Sequence, residues 1–218
     1  KIKEDGINTL VDTYATMGTL NHDMHGKAYP GFKRLLICPP ILSHLTNIKK
    51  QKTKYDFLIM MPMPNLLNPD SRWDMRYKYI IDIINCLISK GRPKIAIKIK
   101  PGTDLSDTGF LKKYFIKNNL NDIDFLKGKG AQAISRSKNI IGQLSTSTYE
   151  SLIIGKPYYI YEPLDCALAN FTISNSIVDR CYIARRIEDL SDNILNKNNV
   201  NISTEKLVDG PKMSERII

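Results

Sequence analysis

Residues 139–163, NIIGQLSTSTYESLIIGKPYYIYEP, decide how the rest of the chain is read. Ile140 and Ile141 make a short apolar run that leads into the hydroxyl cluster Ser145, Thr146, Ser147 and Thr148. A helical segment follows and stops at Gly155, Lys156 and Pro157, and a β-rich run opens at Tyr158. Strand, polar turn, helix and strand in that order place backbone N–H groups and the positive end of a helix dipole at the carboxyl edge of a sheet, where a phosphate binds well. Ser and Thr are also ordinary N-caps, so the same residues read as a capped helix between two strands.

Working outward, apolar runs bounded by turn residues recur. Residues 34–38 (RLLIC) read as a buried strand halted by Pro39 and Pro40, and 56–61 (DFLIMM) as another, ended by Pro62 and Pro64. Between them, 43–54 is polar and basic, a linker or short helix. Over 74–89, Tyr77, Ile80, Ile81, Ile84, Leu87 and Ile88 follow helical spacing, closed by Gly91 and Pro93. Residues 95–99 (IAIKI) predict an alternating strand with Lys98 and Lys100 at its carboxyl end. A helix over 108–118 capped by Asp107, a strand at 123–126, a helical turn at 132–137, a strand at 181–184 and a helix at 187–195 complete the pattern. Strands alternating with helices predict an α/β class with a Rossmann-like, doubly wound parallel sheet. The expected organisation is 1–54 as the end of an N-terminal domain or a linker region, 55–195 as the Rossmann-like domain, and 196–218 as a loosely held tail.

Composition narrows the class further. Of 218 residues, 42% are hydrophobic and 25% charged, which excludes global disorder. The balance of 32 basic to 22 acidic residues, a formal +10, favours anionic partners or else a solvated basic surface. Cys38, Cys86, Cys166 and Cys181 form no CxxC pair and sit in or near apolar runs, as buried free thiols of a reducing compartment do. No stretch reaches the ~18 apolar residues of a membrane span and no signal peptide opens the sequence, so a cytoplasmic location is expected. Asn21-His22-Asp23-Met24-His25 sets a carboxylate between two imidazoles, a source of a general base or a loop with surface histidines; without a third ligand at metal spacing, no metal is expected.

The order Ser/Thr turn, Glu150 on a helix, Gly155-x-Pro157 and strand is similar to the C-terminal, nucleotide-sugar-binding domain of GT-B glycosyltransferases. Lys98-Ile99-Lys100-Pro101 resembles the strand ending in Lys-x-His-Pro of bacterial capsule and teichoic-acid transferases, polysialyltransferase-like enzymes included, with lysine in place of the histidine. His25-Gly26 looks like the His-Gly found late in the N-terminal half of such enzymes. The resemblance implies that the chain is the C-terminal half of a GT-B architecture. It implies Ser145, Thr146, Ser147 and Thr148 near the donor phosphates, Glu150 near the ribose, and Lys98 and Lys100 as cations beside the phosphate. An inverting reaction also needs a base for the acceptor hydroxyl's proton, and Asp23 or His25 is expected to supply it if the early segment folds back over the cleft.

Retaining members carry an earlier glutamate eight positions before the ribose glutamate. Gly142 stands there, which points to an inverting enzyme or an inactive relative. The expected partners are a nucleotide-sugar and a glycan or glycolipid acceptor, with peripheral contact to an anionic membrane at the inner face. No cofactor is implied, nucleic acid is not an expected partner, and the lack of a Gly-rich fingerprint after an early strand speaks against NAD. The alternatives are a sugar-nucleotide epimerase of the same fold, and a non-catalytic basic α/β module binding anionic polymer or a protein partner. For Lys98 and Lys100 the alternative is the solvent-facing side of an edge strand. For Glu150 it is a first-turn acid favoured by the helix dipole.

Overall fold

The computed structural model describes residues 13–17, 26, 33–37, 45, 48, 51–62, 73–99, 105–120, 122–163 and 182–200. Two compact units divide the chain, Lys1–Asn47 with Ile202–Ile218, and Ile48–Asn201. In the first, β1 (Thr13–Met17) pairs in parallel with β2 (Lys33–Ile37), Thr13 opposite Lys33 and Met17 opposite Ile37. β2 covers the expected RLLIC strand one residue earlier, whereas β1 lies where the sequence shows no apolar periodicity.

The second unit is built on β3 (Tyr55–Met60), β4 (Ile95–Lys98), β5 (Ile123–Leu126), β6 (Ser137–Gly142), β7 (Tyr158–Tyr161) and β8 (Ile183–Ala184). All five pairings are parallel, and the strand order is β5-β4-β3-β6-β7-β8. Counted within this sheet the order is 3-2-1-4-5-6, the doubly wound arrangement of two halves that share their first strand edge. The inner strands are buried on both faces. Every residue of β4 and β7 is buried, which is why their sequences IAIK and YYIY lack the polar alternation of a half-solvated strand.

Helix α1 (Trp73–Ile88) follows β3 and buries Tyr79, Ile80, Ile83, Ile84 and Leu87, a stripe at helical spacing. Tyr79 stacks on Tyr161 of β7 at 5.2 Å and donates its hydroxyl to the Tyr161 carbonyl, which ties α1 across the sheet. Helix α2 (Leu105–Lys117) starts earlier than its apolar pattern suggests, so Asp107 lies inside the helix and is not its cap. Helix α3 (Gly130–Ser135) ends before Ser137, which already opens β6. Helices α4 (Thr146–Ile153) and α5 (Ile187–Leu195) complete the unit; α1 packs beside α5, and α3 beside α4.

Beyond α5, Val200 is buried and its N–H donates to the Tyr158 carbonyl. Cys86, on α1, is free but only half-buried, and burial pushes its thiol pKa up. The other three cysteines lie outside the described residues. No helix among the described residues is long and apolar enough to cross a membrane.

Candidate functional site

β3 pairs with β4 on one side and with β6 on the other, so the connections leaving the carboxyl ends of β3 and β6 run to opposite halves of the sheet. Such a divergence opens a crevice at the strand ends, the place where open α/β sheets hold ligands. At these ends Met61 and Pro62 follow β3, and the turn Gln143, Leu144, Ser145 follows β6.

That turn is held from several sides. Ser145 is extended (φ −160°, ψ 179°) and caps α4: its N–H donates to Thr148 Oγ1 at 3.2 Å, and the Thr148 N–H returns to the Ser145 carbonyl at 2.9 Å. The Gln143 carbonyl accepts the Tyr158 hydroxyl at 2.7 Å, and the Leu144 N–H donates to Glu162 Oε1 at 3.0 Å. Tyr158 is fully buried, and the loss of water drives its phenol pKa well above 10. With these bonds made, Thr146 and Ser147 supply the first-turn N–H groups, for which a helix has no internal acceptor. Thr146 is exposed, Ser147 half-buried and Thr148 buried.

Gly142 ends β6 under this turn. A Cβ there would stand 2.3 Å from the Tyr158 hydroxyl and 2.9 Å from Met60 Cβ, so only glycine fits. The position that holds a glutamate in the retaining pattern has no room here for any side chain.

Cationic groups gather on the same edge. Lys98 ends β4 and is 3% exposed; its ammonium donates to the Ile99 carbonyl. Desolvation pulls its pKa below the ordinary 10.5, and the charge of Glu150 acts in the opposite sense. β4 lies inside the sheet, so for Lys98 the alternative of a solvent-facing position on an edge strand is excluded. Glu150, on the second turn of α4, is half-buried, and its Oε2 lies 3.1 Å from where a Cβ on Gly130 would stand. Arg76 on α1 is buried, with its Nε donating to the Pro62 carbonyl at 2.9 Å, which fixes a guanidinium at the end of β3. Arg185, just past β8, donates from Nη1 to the Glu162 carbonyl at 3.1 Å.

Lys98, Glu150 and the run Ser145 to Thr148 therefore share one edge of one sheet. Lys100, Asp23 and His25 lie outside the described residues. Among the described residues, no group of three or more His, Cys, Asp or Glu side chains is placed to hold a metal ion. Arg76, Tyr158, Glu162 and Arg185 join the edge without a sequence signal, apart from the position of Glu162 directly after a strand. The motif Gly155-x-Pro157 has a structural origin of its own. Gly155 (φ +76°) closes α4, with its N–H bonded to the Leu152 carbonyl and the Lys156 N–H to that of Ser151, a Schellman cap that suits glycine.

No protein-family model matches the sequence, and no curated protein does. Solved structures resemble it in fold. A point mutant of S. aureus TarM in complex with fondaparinux, α-GlcNAc-glycerol and UDP superposes with TM-score 0.53 at 13% identity, over 90% of this chain and 39% of that one. A second TarM structure gives TM-score 0.50 at 14% identity with the same coverage. The UDP-GlcNAc 2-epimerase of Methanocaldococcus jannaschii, in complex with UDP-GlcNAc and UDP, gives TM-score 0.52 at 15% identity, over 85% of this chain and 53% of that one. The chain thus spans between about two fifths and about half of the length of these proteins. They are GT-B enzymes, and the six-stranded unit has their Rossmann-like α/β fold.

Proposed function

We propose that residues 48–201 bind a nucleotide-sugar at the carboxyl edge of the sheet, as the donor-binding part of a glycosyltransferase that acts on a surface-polysaccharide or glycolipid acceptor. The observation that carries this reading is that the α4 N-terminus, Lys98 and Glu150 lie at one carboxyl edge of the sheet, with the charges of Lys98 and Glu150 acting on each other. Sugar transfer leaves negative charge on the departing nucleotide. Fixed N–H groups of Thr146 and Ser147 meet that charge without reorganising, which is how a preformed polar site lowers a barrier, and the Lys98 cation adds to the positive potential at that edge. Lys100 is proposed as a second cation. Glu150, one turn into α4, is the proposed acceptor of hydrogen bonds from ribose hydroxyls.

An acceptor hydroxyl must lose a proton during transfer, and Asp23 or His25 is the proposed base. Inversion at the anomeric carbon is the outcome proposed, because Gly142 excludes a carboxylate under the turn. The basic balance of the chain suits peripheral contact with an anionic membrane face.

UDP is the probe of choice because structures of both TarM and the epimerase contain it. A ligand at 100 times its Kd stabilises a fold by about 2.7 kcal/mol, a shift visible in thermal unfolding. Glu150→Ala should weaken UDP binding more than it destabilises the free chain; loss of stability with intact affinity would make Glu150 structural. The likeness to the epimerase supports a second reading, interconversion of the donor itself, for which product forms from UDP-sugar with no acceptor present.

A further inference from the structure

Glu162 directly follows β7 and is 4% exposed, yet each of its polar atoms is engaged. Its N–H donates to the Ala184 carbonyl at 2.9 Å, and its own carbonyl accepts Arg185 Nη1 at 3.1 Å. Oε1 accepts the Leu144 N–H at 3.0 Å, and Oε2 faces Arg185 Nη1 at 3.5 Å. One residue thus joins three neighbouring segments of the carboxyl edge: the β6–α4 turn, the end of β7 and the end of β8.

The strand itself does not need the carboxylate, since the main-chain bond to Ala184 and the Arg185 guanidinium on the Glu162 carbonyl tie β7 to β8. Burying a carboxylate is costly unless hydrogen bonds and a cation compensate, and here they are supplied by the Leu144 N–H and Arg185. The side chain therefore acts where its bond goes, on the residue next to the α4 cap. The turn is held on its other side by the Tyr158 hydroxyl on Gln143. Glu162 also removes the Leu144 N–H from the set available to a ligand, which leaves Thr146 and Ser147 as the presenting donors.

We propose that Glu162, steadied by Arg185, is a positioning residue that sets the orientation of the β6–α4 turn, and through it the aim of the α4 N-terminus at the donor phosphates. This deepens the donor-site reading above and rests on it for its second half. Position and charge separate cleanly. Glu162→Gln keeps an acceptor oxygen at the right reach and loses the charge, whereas Glu162→Asp keeps the charge and is one methylene too short to reach Leu144.

The experiment combines amide hydrogen exchange across the β6–α4 turn with UDP titration of the 218-residue chain, for wild type, Glu162→Gln and Glu162→Asp. The expected result is slow Leu144 exchange and near wild-type affinity in Glu162→Gln. Glu162→Asp should show fast Leu144 exchange and affinity about tenfold weaker, the scale of one lost charge-assisted hydrogen bond. Glu162→Asp matching wild type while Glu162→Gln fails would overturn the proposal, because charge and not position would then matter. Equal Leu144 exchange in all three proteins would overturn it as well. If no protein binds UDP but the exchange pattern is as expected, the donor reading fails and the positioning of the turn by Glu162 stands.

Discussion

Replacing Lys98 with methionine separates a lysine kept for a ligand from one kept for the fold. Lys98→Met preserves the length and apolar stem of the side chain inside a strand where all four residues are buried. The fold loses one ammonium bond to the Ile99 carbonyl, about 1.5–3 kcal/mol. It is also relieved of a desolvated charge, which acts in the opposite direction. The two oppose each other, so urea unfolding should show a loss of less than about 3 kcal/mol. A phosphate oxygen that loses its cationic donor forfeits ~1.5–3 kcal/mol, so calorimetric titration should find UDP affinity about ten- to a hundredfold weaker.

The stability difference should also depend on pH. The folded pKa of Lys98 lies below 10.5, so between the two values the unfolded chain binds more protons and stability rises with pH. Wild type should therefore gain on Lys98→Met as pH climbs toward 10.5, and the difference should be flat at lower pH. Undiminished UDP affinity in Lys98→Met, or a stability loss above about 3 kcal/mol, would refute the reasoning.

Further tests address the turn and helix α4. Gly142→Ala forces a Cβ against the Tyr158 hydroxyl and Met60, so urea unfolding should show a loss of about 1–3 kcal/mol; in a Tyr158→Phe background part of that loss should disappear, as a double-mutant cycle reads out. The Tyr158 phenol ionises less readily when folded than unfolded, so its contribution to stability is complete below pH 10 and lost as pH rises above it. Wild type should thus lose stability relative to Tyr158→Phe across that alkaline window. The Ser151 hydroxyl is buried with no hydrogen-bond partner among the described residues, so Ser151→Ala should leave stability unchanged or raise it by up to about 1 kcal/mol; a clear loss in thermal unfolding would reveal a partner such as a bound water.

Periodicity located the α/β class and most elements because parallel strands buried on both faces are written as unbroken apolar runs, as in β3, β4 and β7. The turn at Ser145 was legible because capping depends on residues adjacent in sequence. The burial of Lys98 was not legible because it depends on β5 pairing beyond it, a contact with Ile123 to Leu126 that no local pattern encodes. Arg76 looks like one more basic residue of α1 until Pro62 is placed beside it. Glu162 and Arg185 meet Leu144 only across three strand ends, separated by 18 residues or more from that turn. β1 carries the run TYATM, whose mixed polarity hides a strand that parallel pairing with β2 makes clear.

The most direct test of the donor site is a titration of the isotopically labelled 218-residue chain with UDP, followed by amide NMR. The account predicts saturable binding, with the largest shifts at Leu144, Ser145, Thr146 and Ser147 and a second group at Lys98 and Ile99. Absence of saturable binding, or shifts confined to residues away from the carboxyl edge of β3, β4 and β6, would contradict it.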